Sequence, residues 1–340
     1  MIEVKENVDL FPFNTFHIHA VCRYLVTIRT EEEAREIFED SLFRSHRHLI
    51  LGGGSNILMT GDFDGVVVKN ELSGITAQHE DDDTISLTVA SGENWHRLVL
   101  YCVERDFGGI ENLSLIPGTV GAAPMQNIGA YGVEIREVIR SVRAIELKTG
   151  ASRVFDREEC AFGYRESIFK QELRDQYFIS SVTLSLTKRN HRFNVSYGAI
   201  QDVLRKKNIE DLSIRAISDA VIEIRSSKLP DPSVIGNAGS FFKNPSVDSD
   251  FFERLKKEYP AIPSFPGENS LVKLPAAWLI EQCGWKGRTL GTIGVHKHQA
   301  LVLVNYGDGE GQKIWQLARD IQSSVREKFD IVLQPEVNVF

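Results

Sequence analysis

The chain has 340 residues, of which 42% are hydrophobic and 25% charged, with a formal charge of −8 at pH 7. Two or three soluble domains are expected, and the acidic balance offers no basic face for nucleic acid or for an anionic membrane surface. Residues 1–10 carry Glu3, Lys5, Glu6 and Asp9 without an apolar core, and Cys22, Cys102, Cys160 and Cys283 form no Cys-x-x-Cys pair, so a cytoplasmic protein with reduced structural thiols and no metal site is expected.

In chain order, Thr30 with Glu33 makes a capping-box start, and Ala34, Ile37 and Phe38 give one apolar face, which predicts a short helix ending before Ser45-His46-Arg47. His48-Leu49-Ile50-Leu51 reads as a strand that empties into Gly52-Gly53-Gly54-Ser55-Asn56. Three glycines after a strand let backbone N–H groups approach a ligand closely, and such a loop suits a pyrophosphate. No Gly-Lys-Ser/Thr follows it, so it is not a Walker loop. Gly-x-Gly-x-x-Gly before a helix is also absent, so it is not the Rossmann fingerprint.

Residues 65–69 and 84–90 read as strands separated by the acidic run Glu80 to Asp83, a solvated turn. A helix is predicted over 95–105, with Leu98, Val99 and Cys102 on one face. From Phe107 to Glu134 periodicity lapses, and glycines and amides gather in Ile116-Pro117-Gly118 and Gln126-Asn127-Ile128-Gly129-Ala130-Tyr131-Gly132. So long a loop with so little charge predicts backbone and amide contacts to a large planar or phosphorylated ligand. A hairpin over 138–147 and 152–155 and a strand over 177–186 follow. Between them Arg165 stands among apolar and aromatic neighbours in Phe162-Gly163-Tyr164-Arg165, where its guanidinium can be held for a carboxylate or phosphate, or can pair with Glu166 or Glu159.

Ser196 or Tyr197 starts a basic helix to Lys207, and a second helix is predicted over 218–226. Pro230 and Pro232 mark entry into another domain. Next comes Gly236-Asn237-Ala238-Gly239-Ser240-Phe241-Phe242-Lys243-Asn244-Pro245. Its glycines permit a tight turn from which the Ser240 hydroxyl projects, and its phenylalanines anchor that turn in a core. The segment lacks a Gly-x-Ser-x-Gly elbow and an evident His/Asp set, so Ser240 does not read as an acyl-transfer nucleophile. Helices over 248–258 and 275–283, a strand over 293–305, a helix over 312–329 and a terminal strand over 331–340 complete the chain. His296 and His298 would share one strand face without a third ligand, and Glu336 would stand among apolar residues of the last strand as a rim residue or a placed acid.

Taken together, Gly52 to Asn56, Gly92-Glu93-Asn94-Trp95-His96, Ile116-Pro117-Gly118, Gln126 to Gly132, Phe162 to Arg165, Gly236 to Pro245 and Pro335-Glu336 resemble one family over nearly the whole chain. It is the UDP-N-acetylenolpyruvoylglucosamine reductase (MurB) family, and Ser196-Tyr197-Gly198 resembles its longer, type I form, in which a tyrosine loop closes over the substrate. The resemblance implies an α+β fold: a two-part FAD-binding domain of the vanillyl-alcohol-oxidase (PCMH) type, 1–70 joined by 331–340 and then 71–225, with a C-terminal α/β substrate-binding domain over 226–330.

It also implies noncovalent FAD held by Gly52, Gly53, Gly54, Ser55, Asn56, Pro117, Gly118, Gln126, Asn127, Gly129, Ala130 and Tyr131. Arg165, Ser240 and Glu336 take catalytic positions, and Tyr197, Lys228, Asn244 and Gln299 take substrate positions. Phe265 stands where some type I members carry a substrate-facing tyrosine. The implied reaction is NADPH-dependent reduction of UDP-N-acetylglucosamine enolpyruvate to UDP-N-acetylmuramate in peptidoglycan precursor synthesis. In it Ser240 gives a proton, Arg165 stabilises the enolate, and Glu336 is protonated and donates a hydrogen bond. A monomer is expected. The competing readings are a carbohydrate or alcohol oxidase of the same flavin fold and a nucleotide-sugar-binding protein without turnover; the presence of all three catalytic positions disfavours the latter.

Overall fold

The computed structural model describes residues 2–79, 81–267 and 269–340; Glu80, the first residue of the acidic run, lies outside them. The chain divides into two compact units. The first takes the stretch up to Val8, Cys22–Gly53 and Asp64–Ser227, and the second takes Asp9–Val21, Gly54–Phe63 and Lys228–Phe340. Among the described residues no helix is long and apolar enough to cross a membrane.

The first unit holds two sheets. In one, the strands run Val4–Asp9, Val21–Ile28, Phe63–Asn70, His48–Leu51, the last two parallel with Leu51 opposite Lys69. The helix Glu31–Glu39 supplies Ala34, Ile37 and Phe38 to the core of this sheet. Thr30 Oγ1 accepts from Glu33 N at 3.1 Å as expected, but the Glu33 carboxylate reaches past the cap to Arg29 N, at 2.6 Å. The other sheet is antiparallel, ordered Ser152–Asp156, Ile139–Glu146, Tyr177–Thr187, Thr84–Ala90, Ile75–His79. The alternating face of Tyr177–Thr187 and the helix Trp95–Glu104 bury one core between them, where Trp95 Nε1 donates to Leu113 O at 2.9 Å.

Residues 107–134 carry more regular structure than their composition suggests. Three 3-10 turns, Glu111–Leu113, Val120–Ala122 and Pro124–Gln126, lead to the short pair Gly129–Ala130 and Val133–Glu134. Such elements are too short to show a period. The second of the two helices after Tyr197 runs Ile214–Lys228, four residues earlier than periodicity predicts, because Ser213 Oγ accepts from Ala216 N at 3.1 Å and caps it.

In the second unit a four-stranded sheet is ordered Gly236–Ser240, Val302–Asn305, Ile293–Val295, Thr289–Leu290. Three differences from the sequence reading lie here. The glycine-rich segment is a bulged strand and not a free turn. Residues 293–305 form a hairpin, with His296 and His298 in the connection. Of the terminal stretch 331–340 only Asn338–Val339 is a strand, parallel to Ile57–Leu58. Pro335 has no N–H to continue a ladder, so that stretch is held by single bonds on either side of it.

Asn305, 3% exposed, knits this unit. Its Nδ2 donates to Phe16 O (2.9 Å) and His17 O (3.3 Å), and its Oδ1 accepts from Gly307 N (3.1 Å) and Gly309 N (3.0 Å). Asn305→Ala removes a hydrogen-bond partner from four backbone groups and is expected to cost about 3 kcal/mol. Urea unfolding of the variant measures this, and a loss below about 1 kcal/mol would mean that water replaces the amide.

Candidate functional site

In the first unit, Gly52 and Gly53 leave the C-terminal end of the strand His48–Leu51 and lie against the segment Gly118–Thr119. A Cβ on Gly52 would fall 2.5 Å from Thr119 Oγ1, and one on Gly53 would fall 2.9 Å from Gly118 Cα. The two glycine segments therefore form one close-packed backbone surface that side chains would fill. Pro117 and Gly118 (φ 112°) are held by the bond from Trp95 N to Gly118 O at 3.1 Å, and Leu115 just before them has φ 58°. Leu115 is gripped at both ends: its N–H donates to His96 Nδ1 at 3.0 Å and its carbonyl accepts from Arg225 Nε at 3.2 Å.

Gln126 ends the third 3-10 turn. Asn127 is fully buried at φ 44°. Its Nδ2 engages Glu134 (2.9 Å) and Gly163 O (3.0 Å), and its Oδ1 accepts from Arg136 N (3.1 Å), so its side chain builds the loop from inside. Gly129 and Ala130 pair with Val133 and Glu134 across the two-residue turn Tyr131 (φ 51°) and Gly132 (φ 81°), a left-handed pair of the hairpin kind. Tyr131 meets Tyr197 edge to face, 5.1 Å between ring centroids, with Tyr197 45% exposed before the helix Gly198–Lys206.

Arg165 stands at the tip of the turn Gly163–Glu166 with φ 57°, and its Nη2 donates to Gly129 O at 2.9 Å. This bond ties it to the loop read as flavin-binding, while Glu159 pairs with Arg153 at 2.9 Å. A second guanidinium, that of Arg225, lies within electrostatic reach of Arg165. Burial pushes the Arg225 pKa below its ordinary value, against the raising effect of Tyr131, and the Arg165 charge lowers it further. Sequence reasoning missed Arg225, since one arginine in an amphipathic helix carries no signal of its own.

In the second unit, Ser240 is the half-buried last residue of Gly236–Ser240. The strand is bulged between Asn237 and Ser240, with Gly239 at φ 68° and Asn237 Oδ1 accepting from Gly239 N at 3.0 Å. Gly236 passes so close to Phe16 O that a Cβ would fall 2.3 Å from it. Phe241 and Phe242 are buried, 5.2 Å apart, as expected of anchors. The C-terminal segment runs beside them: Phe242 bridges Pro335, Glu336 N donates to Phe241 O at 2.8 Å, and Lys243 N donates to Gln334 O at 2.9 Å. Glu336 is thereby fixed beside Phe241, the residue that follows Ser240. Asn56 Nδ2 donates to Glu336 O at 3.2 Å and Asn56 O accepts from Asn338 N at 3.0 Å, so Asn56 clamps that segment.

Gly54 (φ 63°), followed by Ser55, packs on Phe13 O, where a Cβ would fall 2.0 Å away. Thr15 links Gly54 O (N–H, 3.1 Å) to Asn237 O (Oγ1, 2.6 Å), a connection with no signal in the sequence. Asn244 Oδ1 accepts from Ala276 N at 2.9 Å at the start of the helix Ala276–Gln282. Gln299 folds over its own turn, its Oε1 accepting from Leu301 N at 3.3 Å. Lys228 ends its helix in an exposed position. His296 follows in the strand connection, buried with Nδ1 lacking a hydrogen-bond partner, and burial lowers its pKa ahead of the effects of His298 and Lys297. Phe265 is 55% exposed and pairs with Lys273 in a three-stranded sheet. Arg165 and Tyr197 belong to the first unit, and Ser240, Glu336, Lys228, Asn244 and Gln299 to the second.

Two family models match. Residues 22–154 fit an FAD binding domain, and residues 231–340 fit the C-terminal domain of UDP-N-acetylenolpyruvoylglucosamine reductase. The chain is 52% identical over 338 residues to the UDP-N-acetylenolpyruvoylglucosamine reductase of Amoebophilus asiaticus, covering 99% of each chain. Identity to the reductase of Flavobacterium johnsoniae is 46%, over 99% of this chain and 100% of that one. Among solved structures, the reductase of Thermus caldophilus matches over 100% of both chains with a TM-score of 0.68 at 22% identity. A solvent-stable cholesterol oxidase matches 98% of this chain and 87% of that one, with a TM-score of 0.51 at 11% identity. These two likenesses concern the fold, which is α+β with an FAD-binding part of the PCMH type.

Proposed function

We infer that this chain, which belongs to the UDP-N-acetylenolpyruvoylglucosamine reductase family, reduces UDP-N-acetylglucosamine enolpyruvate to UDP-N-acetylmuramate, a peptidoglycan precursor. FAD, which the backbone at Gly52, Gly53 and Gly118 would hold, would supply two-electron chemistry between NADPH and the enolpyruvyl double bond. The observation that carries this reading is the 52% identity sustained over 99% of both chains. The backbone surface at Gly52, Gly53 and Gly118 fits such a cofactor, because side chains are excluded where a pyrophosphate needs N–H donors.

The roles proposed for this chain's own residues are those the family resemblance implies. Arg165, tied to Gly129 O, holds the substrate carboxylate and stabilises the charge that develops on it. Ser240 gives its hydroxyl proton to the carbon beside that carboxylate, which balances the hydride equivalent delivered to the methylene carbon. Glu336, its backbone clamped by Phe241 and Asn56, directs its carboxyl group to the enolate. Tyr197, Lys228, Asn244 and Gln299 bind the nucleotide sugar, and Phe265 offers that substrate a ring without a hydroxyl.

In this reading the flavin lies with residues 1–70, 331–340 and 71–225, and the substrate with 226–330. The pairing of Asn338–Val339 with Ile57–Leu58 supports joining the last strand to the first segment, although as compact units residues 54–63 group with 228–340. The protein works as a cytoplasmic monomer.

The test is spectroscopic. Purified protein is expected to be yellow, to bleach with NADPH in the absence of oxygen, and to regain colour on adding UDP-N-acetylglucosamine enolpyruvate. Flavin unchanged by NADPH would favour an oxidase or a non-catalytic binding protein. The cofactor is expected to be noncovalent, since the glycine surface offers donors and no covalent anchor. Acid precipitation should release the colour into the supernatant, and colour retained in the pellet would contradict the noncovalent claim.

A further inference from the structure

We propose that Lys69 is a positioning residue for the FAD pyrophosphate, acting through the peptide between Gly52 and Gly53; the proposal rests on the flavoenzyme reading above. Lys69 is the penultimate residue of the strand Phe63–Asn70 and lies opposite Leu51 in the parallel pairing with His48–Leu51. The strand His48–Leu51 runs directly into the glycine segment, at the kind of carboxyl-end edge where parallel strands bind nucleotides.

The Lys69 ammonium donates to the Gly52 carbonyl. In a trans peptide the carbonyl and the next N–H point in opposite directions, so fixing Gly52 O toward Lys69 aims the Gly53 N–H away from it. No backbone acceptor among the described residues takes that N–H. Gly53 packs closely on Gly118, whose Cα would lie 2.9 Å from a Cβ built on Gly53. An ammonium on the carbonyl oxygen also polarises the peptide and strengthens its N–H as a donor.

Electrostatics point the same way. Burial lowers the Lys69 pKa, with Glu71 opposing the shift, so the ammonium is poorly solvated where it stands. An anion on the far side of the Gly52–Gly53 peptide relieves that cost, and Lys69 then contributes to binding a phosphate it does not touch.

The experiment uses protein stripped of flavin and titrated with FAD or with riboflavin, which lacks the pyrophosphate, followed by flavin fluorescence. Lys69→Met is expected to weaken FAD binding about 10- to 100-fold and to leave riboflavin binding within about threefold of wild type. Lys69→Arg, which keeps the charge, is expected to restore FAD affinity to within about tenfold. If Lys69→Met does not fold, Lys69→Leu, which likewise has neither donor nor charge, is read in the same way. Equal losses for FAD and riboflavin would make Lys69 a purely structural strut, and undiminished FAD binding would remove its role; either result overturns the proposal. Wild-type apoprotein that binds neither flavin would instead overturn the flavoenzyme reading itself.

Discussion

Ser240→Ala is expected to leave bleaching of the flavin by NADPH at its normal rate and to slow reoxidation by UDP-N-acetylglucosamine enolpyruvate about 10²- to 10⁴-fold, the usual cost of losing a positioned general acid. The substitution removes one oxygen from a half-buried residue at the end of a strand. The bulge that presents Ser240 is fixed independently, by Asn237 Oδ1 on Gly239 N and by Asn237 Nδ2 on Ile235 O at 2.8 Å, so fold and substrate affinity should survive. Stopped-flow absorbance of each half-reaction separates the effects. Reoxidation within severalfold of wild type would take Ser240 out of the mechanism and leave the bulged strand as a packing element. A fall in both half-reactions would point to altered flavin placement.

Glu336→Gln is expected to be the next most damaging change, slowing the substrate half-reaction about 10²-fold while sparing reduction by NADPH. The backbone of Glu336 is held by Phe241 O and by Asn56 Nδ2, and neither bond uses the carboxyl group. Exchange of carboxyl for amide therefore changes the chemistry of the head group and little of its position. The same stopped-flow pair applies. A matching slow-down in both half-reactions would assign Glu336 to the structure of the C-terminal segment, and an unchanged substrate half-reaction would remove it from enolate stabilisation.

Much of the local structure was legible in sequence because it depends on short-range rules. Thr30 and Ala34-Ile37-Phe38 placed a capped amphipathic helix, and 84–90 was found as a strand residue for residue, since alternation and capping act within a few positions. The phenylalanines after Ser240 were read correctly as anchors. Short or capped-from-outside elements escaped. Three-residue turns show no period, and the start of Ile214–Lys228 depends on a Ser213 cap that the apolar pattern does not reveal.

By itself the sequence determined that this is an acidic chain with glycine loops set after a strand and within a long amide-rich segment, and its motifs carried the family. Only the tertiary structure decided what individual polar residues do. Asn127 and Asn56 looked alike as loop amides, yet one is sealed inside its loop and the other clamps the backbone of Glu336. Lys69 and Arg225 had no motif at all, and acquire meaning from the carbonyls of Gly52 and Leu115 that they hold. Glu336 comes beside the Ser240 strand through the bridge of Pro335 to Phe242 and the backbone bonds on either side of it. The physical reason is range: helix caps and alternation are set by neighbours in the chain, whereas a buried amide, ammonium or carboxylate takes its role from whichever backbone groups folding leaves without a partner.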